Sequence, residues 1–342
     1  MKQKFLSILL SGCILLVLCG CGSIVPQGEQ KQTVGVTDAT EQETEASIME
    51  VQVGCMKGPT AIGMIQLLAA SDAGETRNHY AYTIAGTADE LSTALVKGEL
   101  DLAAVPCNLS SVLYNKTEGH VLTVAINTLG VLYLVEAGDS VETVTDLKGK
   151  TIYSTGQGTT PEYTLRFLLT SAGLNPDKDV DIQYKSEAPE VLAALNQKLE
   201  AIAMLPQPYT TVALNSNEAY RIALDVTKEW EKLTEGTVVT GVLVARKEFI
   251  ESYPKAFADF LKEYEVSADY ASEQVEATAG LLEQYDVFKA AIAKKAIPYC
   301  NVTFIKGEDM KRKAMGYLQV LYEQNPKAVG GKLEEGMFYI EE

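Results

Sequence analysis

The chain has 342 residues, 46% of them hydrophobic, with 29 Lys and Arg against 46 Asp and Glu, a net charge of −17. A body this acidic does not seek nucleic acid or an anionic bilayer, although backbone dipoles still allow a small anionic ligand. Two histidines, His79 and His120, rule out a His-rich metal binder, and after residue 21 only Cys55, Cys107 and Cys300 follow, odd in number and widely spaced, which rules out a zinc motif and a disulfide framework.

Residues 1–20 carry Lys2 and Lys4 followed by the apolar run Phe5 to Cys19, the pattern of a secretory signal rather than a spanning helix. The run closes in "LCGCGS", which resembles the lipobox of bacterial lipoproteins and makes Cys21 the lipidated first residue of the mature chain. An ordinary signal peptide cleaved at a nearby small residue is the alternative. Loss of the two lysines gives −17 − 2 = −19 for the mature form. Residues 21–47 are polar and acidic, a composition that reads as a flexible tether. The body then begins near Ile48 and comprises 342 − 47 = 295 residues, enough for two domains. No later segment approaches the ~20 apolar residues of a second span.

The first predicted strand is the alternation Val51, Val53, Cys55. It runs into "MKGPTAIGMIQLL", where Lys57, Gly58 and Thr60 form a loop ahead of a helix-like run. The free N–H groups at such a helix start favour anions. Strand-like "HYAYTIAG", helix-like "ELSTALVKGEL" and strand-like "DLAAVPCN" follow. The same order then returns. At an offset of 190 − 90 = 100 residues, "ELSTALVKGELDLAAVPCN" falls on "EVLAALNQKLEAIAMLPQP" without a gap. Gly58 meets Gly158, Thr60 meets Thr160, and Pro106 meets Pro206.

Alternating strands and helices predict parallel sheets packed between helices, with ligands beyond the carboxyl ends of the strands. That rule places loops 57–60, 106–108, 154–161 and 206–209 at functional edges. Two similar lobes, each offering its loop edge, suggest the two jaws of a cleft.

A lipobox, an acidic tether and two α/β lobes resemble the solute-binding lipoproteins of ABC importers. The stretch "DLKGKTIYSTGQGTTPEYTLRFLLTSAGLNPDKDV" is similar to the opening of their second lobe, and the strand-then-proline of "LEAIAMLPQP" resembles the nitrate/sulfonate/taurine and thiamine-precursor branch. The resemblance runs from about Val51 to Gln324. It implies a type-II periplasmic-binding fold, α/β, each lobe a mostly parallel sheet flanked by helices, joined by a two-strand hinge. Residues 48–132 plus 240–342 would form the first lobe and 137–235 the second. The chain would cross between them near "TLGVLYLVEAG" and "TVVTGVLVARKE". The implied role is capture of a small organic solute at the extracytoplasmic face of the membrane and delivery to ABC permease and ATPase subunits, with the binding protein a monomer and no cofactor or metal. A lipid-anchored sensor ectodomain is the alternative without transport.

An enzyme reading finds little support in the residues. "GQGTTP" lacks the third glycine of a dinucleotide fingerprint and "LKGKT" lacks the upstream glycine of a P-loop. A thiamine-pyrimidine synthase shares the implied fold, but the resemblance implies a catalytic histidine there, and neither His79 nor His120 sits in a predicted cleft loop.

The candidate ligand contacts each carry an alternative. Lys57 is a cleft cation or a solvated lysine. Thr60 binds ligand or caps its own helix. Ser154, Thr155, Thr159 and Thr160, with Gly158, form a hydroxyl cluster that is a ligand cradle or a capped turn. Asn108 and Gln207 follow strand-end prolines. Trp230, in loop-like "DVTKEWEKLTEG", is core packing or a cover over the ligand. Tyr209 and Tyr163 are weaker aromatic candidates. Members of the resembled family that bind amines often carry glutamate where Gln207 stands, so a neutral or anionic ligand is expected: a sulfonate, a carboxylate or an uncharged heteroaromatic. Cys55, Cys107 and Cys300 are expected as small buried hydrophobes, with a Cys55–Cys107 bridge as the alternative.

Overall fold

The computed structural model describes residues 48–198 and 200–341. The signal at 1–20, Cys21 and the tether to 47 lie outside the described residues. Eleven strands form two sheets among the described residues. The first contains β1 (Glu50–Met56), β2 (His79–Ala85), β3 (Leu102–Pro106) and β4 (Val121–Leu129). The second contains β5 (Leu132–Ala137), β6 (Thr151–Ser154), β7 (Asp181–Tyr184), β8 (Ile202–Pro206) and β9 (Tyr220–Asp225). The chain then returns to the first sheet with β10 (Val239–Arg246) and β11 (Val302–Ile305).

The spatial orders are β11-β4-β10-β3-β1-β2 and β7-β6-β8-β5-β9. β1 pairs in parallel with β2 and β3, and β6 does the same with β7 and β8. The strand next to the proline-ended one is antiparallel in both sheets: β10 beside β3, and β5 beside β8. Both of these strands directly follow a passage of the chain from one sheet to the other, between Leu129 and Leu132 and between Asp225 and Val239. Each sheet therefore gains, beside its proline-ended strand, a strand from a chain arriving from the other sheet; β5 alone makes the second sheet mixed, while β10 and β11 both run against the other four strands of the first.

The repeat has a structural counterpart. Helix Ala88–Lys97 stands to Ala188–Gln197, and β3 to β8, at the same 100-residue offset. Leu91 and Leu95 in one helix, Val191 and Leu195 in the other, are the buried i, i+4 pair that seats each helix on its sheet. Gly98, left-handed at φ 75°, ends the first helix and turns the chain toward β3. Strands β3 and β10 are buried almost throughout, as runs such as "LAAV" and "VLVA" require when both sheet faces are covered.

The long helices Pro254–Glu273 and Gly307–Gln324 complete the fold. The second reaches both lobes. Its Tyr317 hydroxyl lies 2.6 Å from that of Thr164 on helix Thr160–Ser171, within a core that joins residues of both sheets. Cys55, Cys107 and Cys300 are buried free thiols, so the Cys55–Cys107 bridge is not formed. Burial pushes the Cys55 thiol up to about 12 and the other two upward as well, so all three stay protonated. No helix among the described residues is long and apolar enough to cross a membrane.

Candidate functional site

Strands β1, β2 and β3 end on one edge, and β6, β7 and β8 end on the matching edge of the second sheet. A cleft of about 500 Å³ gathers the loops that follow these strands. The first lobe supplies Met56–Thr60, Gly86–Asp89 and Pro106, and the second supplies Thr155–Gln157, Thr159–Pro161, Tyr184–Pro189 and Pro206. Leu132, Tyr209 and Thr240 complete the lining. The two edges come close at one point, where a Cβ on Gly86 would lie 3.1 Å from the Glu187 carboxylate.

Loop 154–160 takes its shape from two glycines. Gly156 and Gly158 have φ of 71° and 76°, values that other residues rarely adopt. A Cβ on Gly156 would also meet Thr159 Oγ1 at 2.6 Å. The Gly158 N–H donates to Glu162 at 2.7 Å, so a carboxylate of the following helix already takes a backbone donor of the loop just ahead of it. The hydroxyls expected to hold ligand are largely engaged within the protein. Thr159 donates to the Gly156 carbonyl at 2.8 Å, Ser154 to that of Thr155 at 3.1 Å, and Thr160 to Asn108 Oδ1 at 3.4 Å. Thr60 neither caps its helix nor stands free; its hydroxyl faces the Met56 N–H at 3.3 Å and the Met56 carbonyl at 3.4 Å.

Of the residues nominated from the sequence, Lys57, Gly58, Thr60, Thr155, Thr159 and Thr160 line the cleft. Asn108, Ser154, Gly158, Gln207 and Trp230 do not. Asn108 opens helix Cys107–Lys116, is buried, and donates to the carbonyls of Ala328 at 2.9 Å and Gly158 at 3.3 Å. Gln207 is buried and accepts from Thr211 Oγ1 at 2.8 Å. Both amides serve packing between elements. Trp230 stands in no loop. Helix Val226–Glu231, capped by the Asp225 carboxylate, carries its indole into the core at 1% exposure, 4.5 Å from the Phe167 ring and 5.0 Å from Tyr317. Burial of so large an apolar ring outweighs any role at the rim.

The loops after β2 and β7 were absent from the nominated set. The rule that selected the others applies to them equally, and "HYAYTIAG" and "DVDIQYKS" already overlay at the 100-residue offset.

A family model described as menaquinone biosynthesis matches residues 52–320. The chain belongs to the menaquinone-biosynthesis family. Among solved structures, an ABC transporter from Parabacteroides distasonis is 24% identical with a TM-score of 0.70, over 86% of this chain and 100% of that one. The periplasmic aliphatic sulphonate binding protein SsuA from Escherichia coli is 18% identical with a TM-score of 0.68, over 86% and 92%. The periplasmic nitrate-binding protein NrtA from Synechocystis PCC 6803 is 12% identical with a TM-score of 0.62, over 82% of each chain. These likenesses establish the type-II periplasmic-binding fold, two α/β sheets with flanking helices. No curated protein matches the sequence.

In this member of the menaquinone-biosynthesis family, the cleft walls combine five prolines and two tyrosines with four charged side chains. Lys57 is held 3.4 Å from Asp286. Lys185 is half-buried, lies 5.4 Å above the Tyr153 ring, and has no carboxylate within 4 Å among the described residues. Asp89 and Glu187 are exposed to water. Burial, and then the charge of Glu187, raises the Tyr209 hydroxyl above its ordinary value; burial, and then Glu162, does the same for Tyr184. Both therefore remain neutral phenols. Among the described residues no cluster of His, Cys, Asp and Glu is arranged to hold a metal ion.

Proposed function

We propose that this chain captures a small organic solute between its two lobes and delivers it to an ABC importer. The observation that carries this reading is the origin of the cleft. Equivalent loops of two repeated lobes meet across it, so a ligand held there touches both and draws them together. The structural neighbours support it: they include an ABC transporter, a sulphonate binding protein and a nitrate-binding protein. The passages at 129–132 and 225–239 serve as the hinge, residues 48–132 with 240–342 forming one jaw and 137–235 the other. Permease and ATPase subunits are the partners, and the binding protein acts as a monomer.

A thermal-shift screen of sulfonates, carboxylates, pyrimidines and amines tests capture. A solute at about 100 times its Kd adds about 2.7 kcal/mol of stability. X-ray scattering with that solute is expected to show a smaller radius of gyration. A screen in which nothing raises the melting temperature would count against capture.

The family description favours a second reading, an enzyme that converts a precursor in the same cleft. Mass spectrometry of the solute after prolonged incubation with the protein decides between them, since capture returns it unchanged.

The address is the lipid on Cys21, which places the protein on the outer face of the cell membrane. Cys21→Ala is expected to move the protein from the membrane pellet to the soluble fraction, because one lipidated cysteine is its only proposed anchor. A variant that still sediments with membranes would refute the anchor.

A further inference from the structure

The second-lobe loop of the cleft is tied to the first lobe by a side chain that does not itself line the cleft. Asn108, in the first turn of helix Cys107–Lys116, is 1% exposed and spends its whole amide on other segments. Its Nδ2 donates to the Ala328 carbonyl at 2.9 Å and the Gly158 carbonyl at 3.3 Å, and its Oδ1 accepts from Thr160 Oγ1 at 3.4 Å. Gly158 is thereby held on both sides, its N–H by Glu162 of its own lobe and its carbonyl by Asn108 of the other. Thr159 and Thr160, the next two residues, line the cleft.

A second tie lies one helical turn further on. Thr160 and Thr164 are buried on one face of helix Thr160–Ser171, and Thr164 meets the Tyr317 hydroxyl of helix Gly307–Gln324 at 2.6 Å. The lobes thus meet here through Asn108, Thr160, Thr164 and Tyr317, each buried and each hydrogen-bonded. Apolar packing alone would hold the two surfaces together without fixing their offset, because it has no direction. Hydrogen bonds between buried groups admit one alignment and penalise the rest.

We infer that Asn108 is a positioning residue of the cleft: through Gly158 and Thr160 it sets where the loop 155–161 stands against the loops of the first lobe, and so how the two walls face one another. Its consequence for binding rests on the capture reading above; its hold on the loop does not. Asn115 supplies the control. It lies on the same helix and ties it to the same C-terminal segment, through the Val329 and Lys332 carbonyls at 3.0 and 2.8 Å, with no bond to the second lobe among the described residues.

Hydrogen exchange read by mass spectrometry on the purified protein tests the hold. It follows the Gly158, Thr159 and Tyr163 amides, which are bonded within the loop and the helix start. Asn108→Ala and Asn115→Ala are both expected to melt at lower temperature. Only Asn108→Ala is expected to exchange these amides faster, by about tenfold or more. Equal loop exchange in the two variants would overturn the inference, since Asn108 would then act on overall stability alone. If Asn108→Ala fails to fold, the near-isosteric Thr160→Val carries the test: faster exchange at these amides supports the inference and wild-type rates overturn it. Calorimetry with benzoate, benzenesulfonate and benzylamine, whose rings suit the proline and tyrosine walls, adds the functional arm. A probe that binds wild type and Asn115→Ala alike, and Asn108→Ala about tenfold or more weakly, supports the inference; equal affinity in all three overturns it. Failure of every probe to bind the wild type would count against capture alone, and the exchange rates would still decide the role of Asn108.

Discussion

Trp230→Ala is expected to destabilise the protein by about 3–5 kcal/mol, the range for removing a large aromatic from a well-packed core. The indole is packed against Phe167 of the second lobe and Tyr317 of the last long helix, which also reaches Thr164 through its hydroxyl. A cavity here would therefore loosen the joint between the lobes as well as the local core. Trp230→Phe keeps most of the apolar volume and removes an indole N–H that has no partner, so its cost should be much smaller. Urea unfolding followed by far-ultraviolet circular dichroism reads both variants. A loss below about 1 kcal/mol for the alanine variant would mean that the surrounding side chains collapse into the space.

A comparable loss is expected for Glu136→Ala, from electrostatics rather than volume. Glu136 on β5 is 1% exposed and holds the turn that follows it. Its carboxylate accepts from Ser140 Oγ at 2.7 Å, the Ser140 and Val141 N–H groups at 3.2 and 3.1 Å, and Arg221 Nη2 at 2.5 Å. Removing it strands three donors of the turn and leaves the Arg221 guanidinium with only the Gly138 and Val141 carbonyls, and breaking such a buried pair costs about 3–5 kcal/mol. Arg221 keeps 38% of its side chain exposed, so water recovers part of that and the lower end of the range is expected. Glu136→Gln retains an acceptor oxygen and should cost less. Urea midpoints at matched slope check the order, and an alanine variant as stable as the glutamine one would show that the turn is held by other contacts.

The parts of the fold that were legible in the sequence are those set by local rules. The buried pair Leu91 and Leu95 and its echo Val191 and Leu195 announce helices by spacing alone. Pro106 and Pro206 close their strands because proline cannot carry a ladder onward. Gly156 and Gly158 mark the turn because they take a backbone conformation closed to other residues. What was not legible depends on contacts between distant segments. Asn108 is consumed by the carbonyl of Ala328, 220 residues away. Trp230 goes inside because Phe167 and Tyr317 meet it there. The break in register at Gly241 exists only in the pairing of β10 with β4, which the strand's own apolar pattern does not reveal. The cleft loops after β2 and β7 were within reach of the strand-end rule, since each follows a strand and precedes a helix just as the others do.

The exchange of strands between the lobes also sets an order of assembly during synthesis. The second sheet draws all of its strands from one continuous stretch, Leu132 to Asp225. The first begins earlier, at Glu50, yet its centre stays open until β10 arrives, since Gly241 must pair with Pro106, 135 residues behind it. On a ribosome, or threading through a membrane pore, the lobe that starts second is thus the first to have every strand it needs. The first three strands of the other must wait with one flank of β3 unpaired. Apolar "LAAV" is the segment left exposed in that interval, and the protein is most open to aggregation over the stretch of elongation between Pro106 and Arg246.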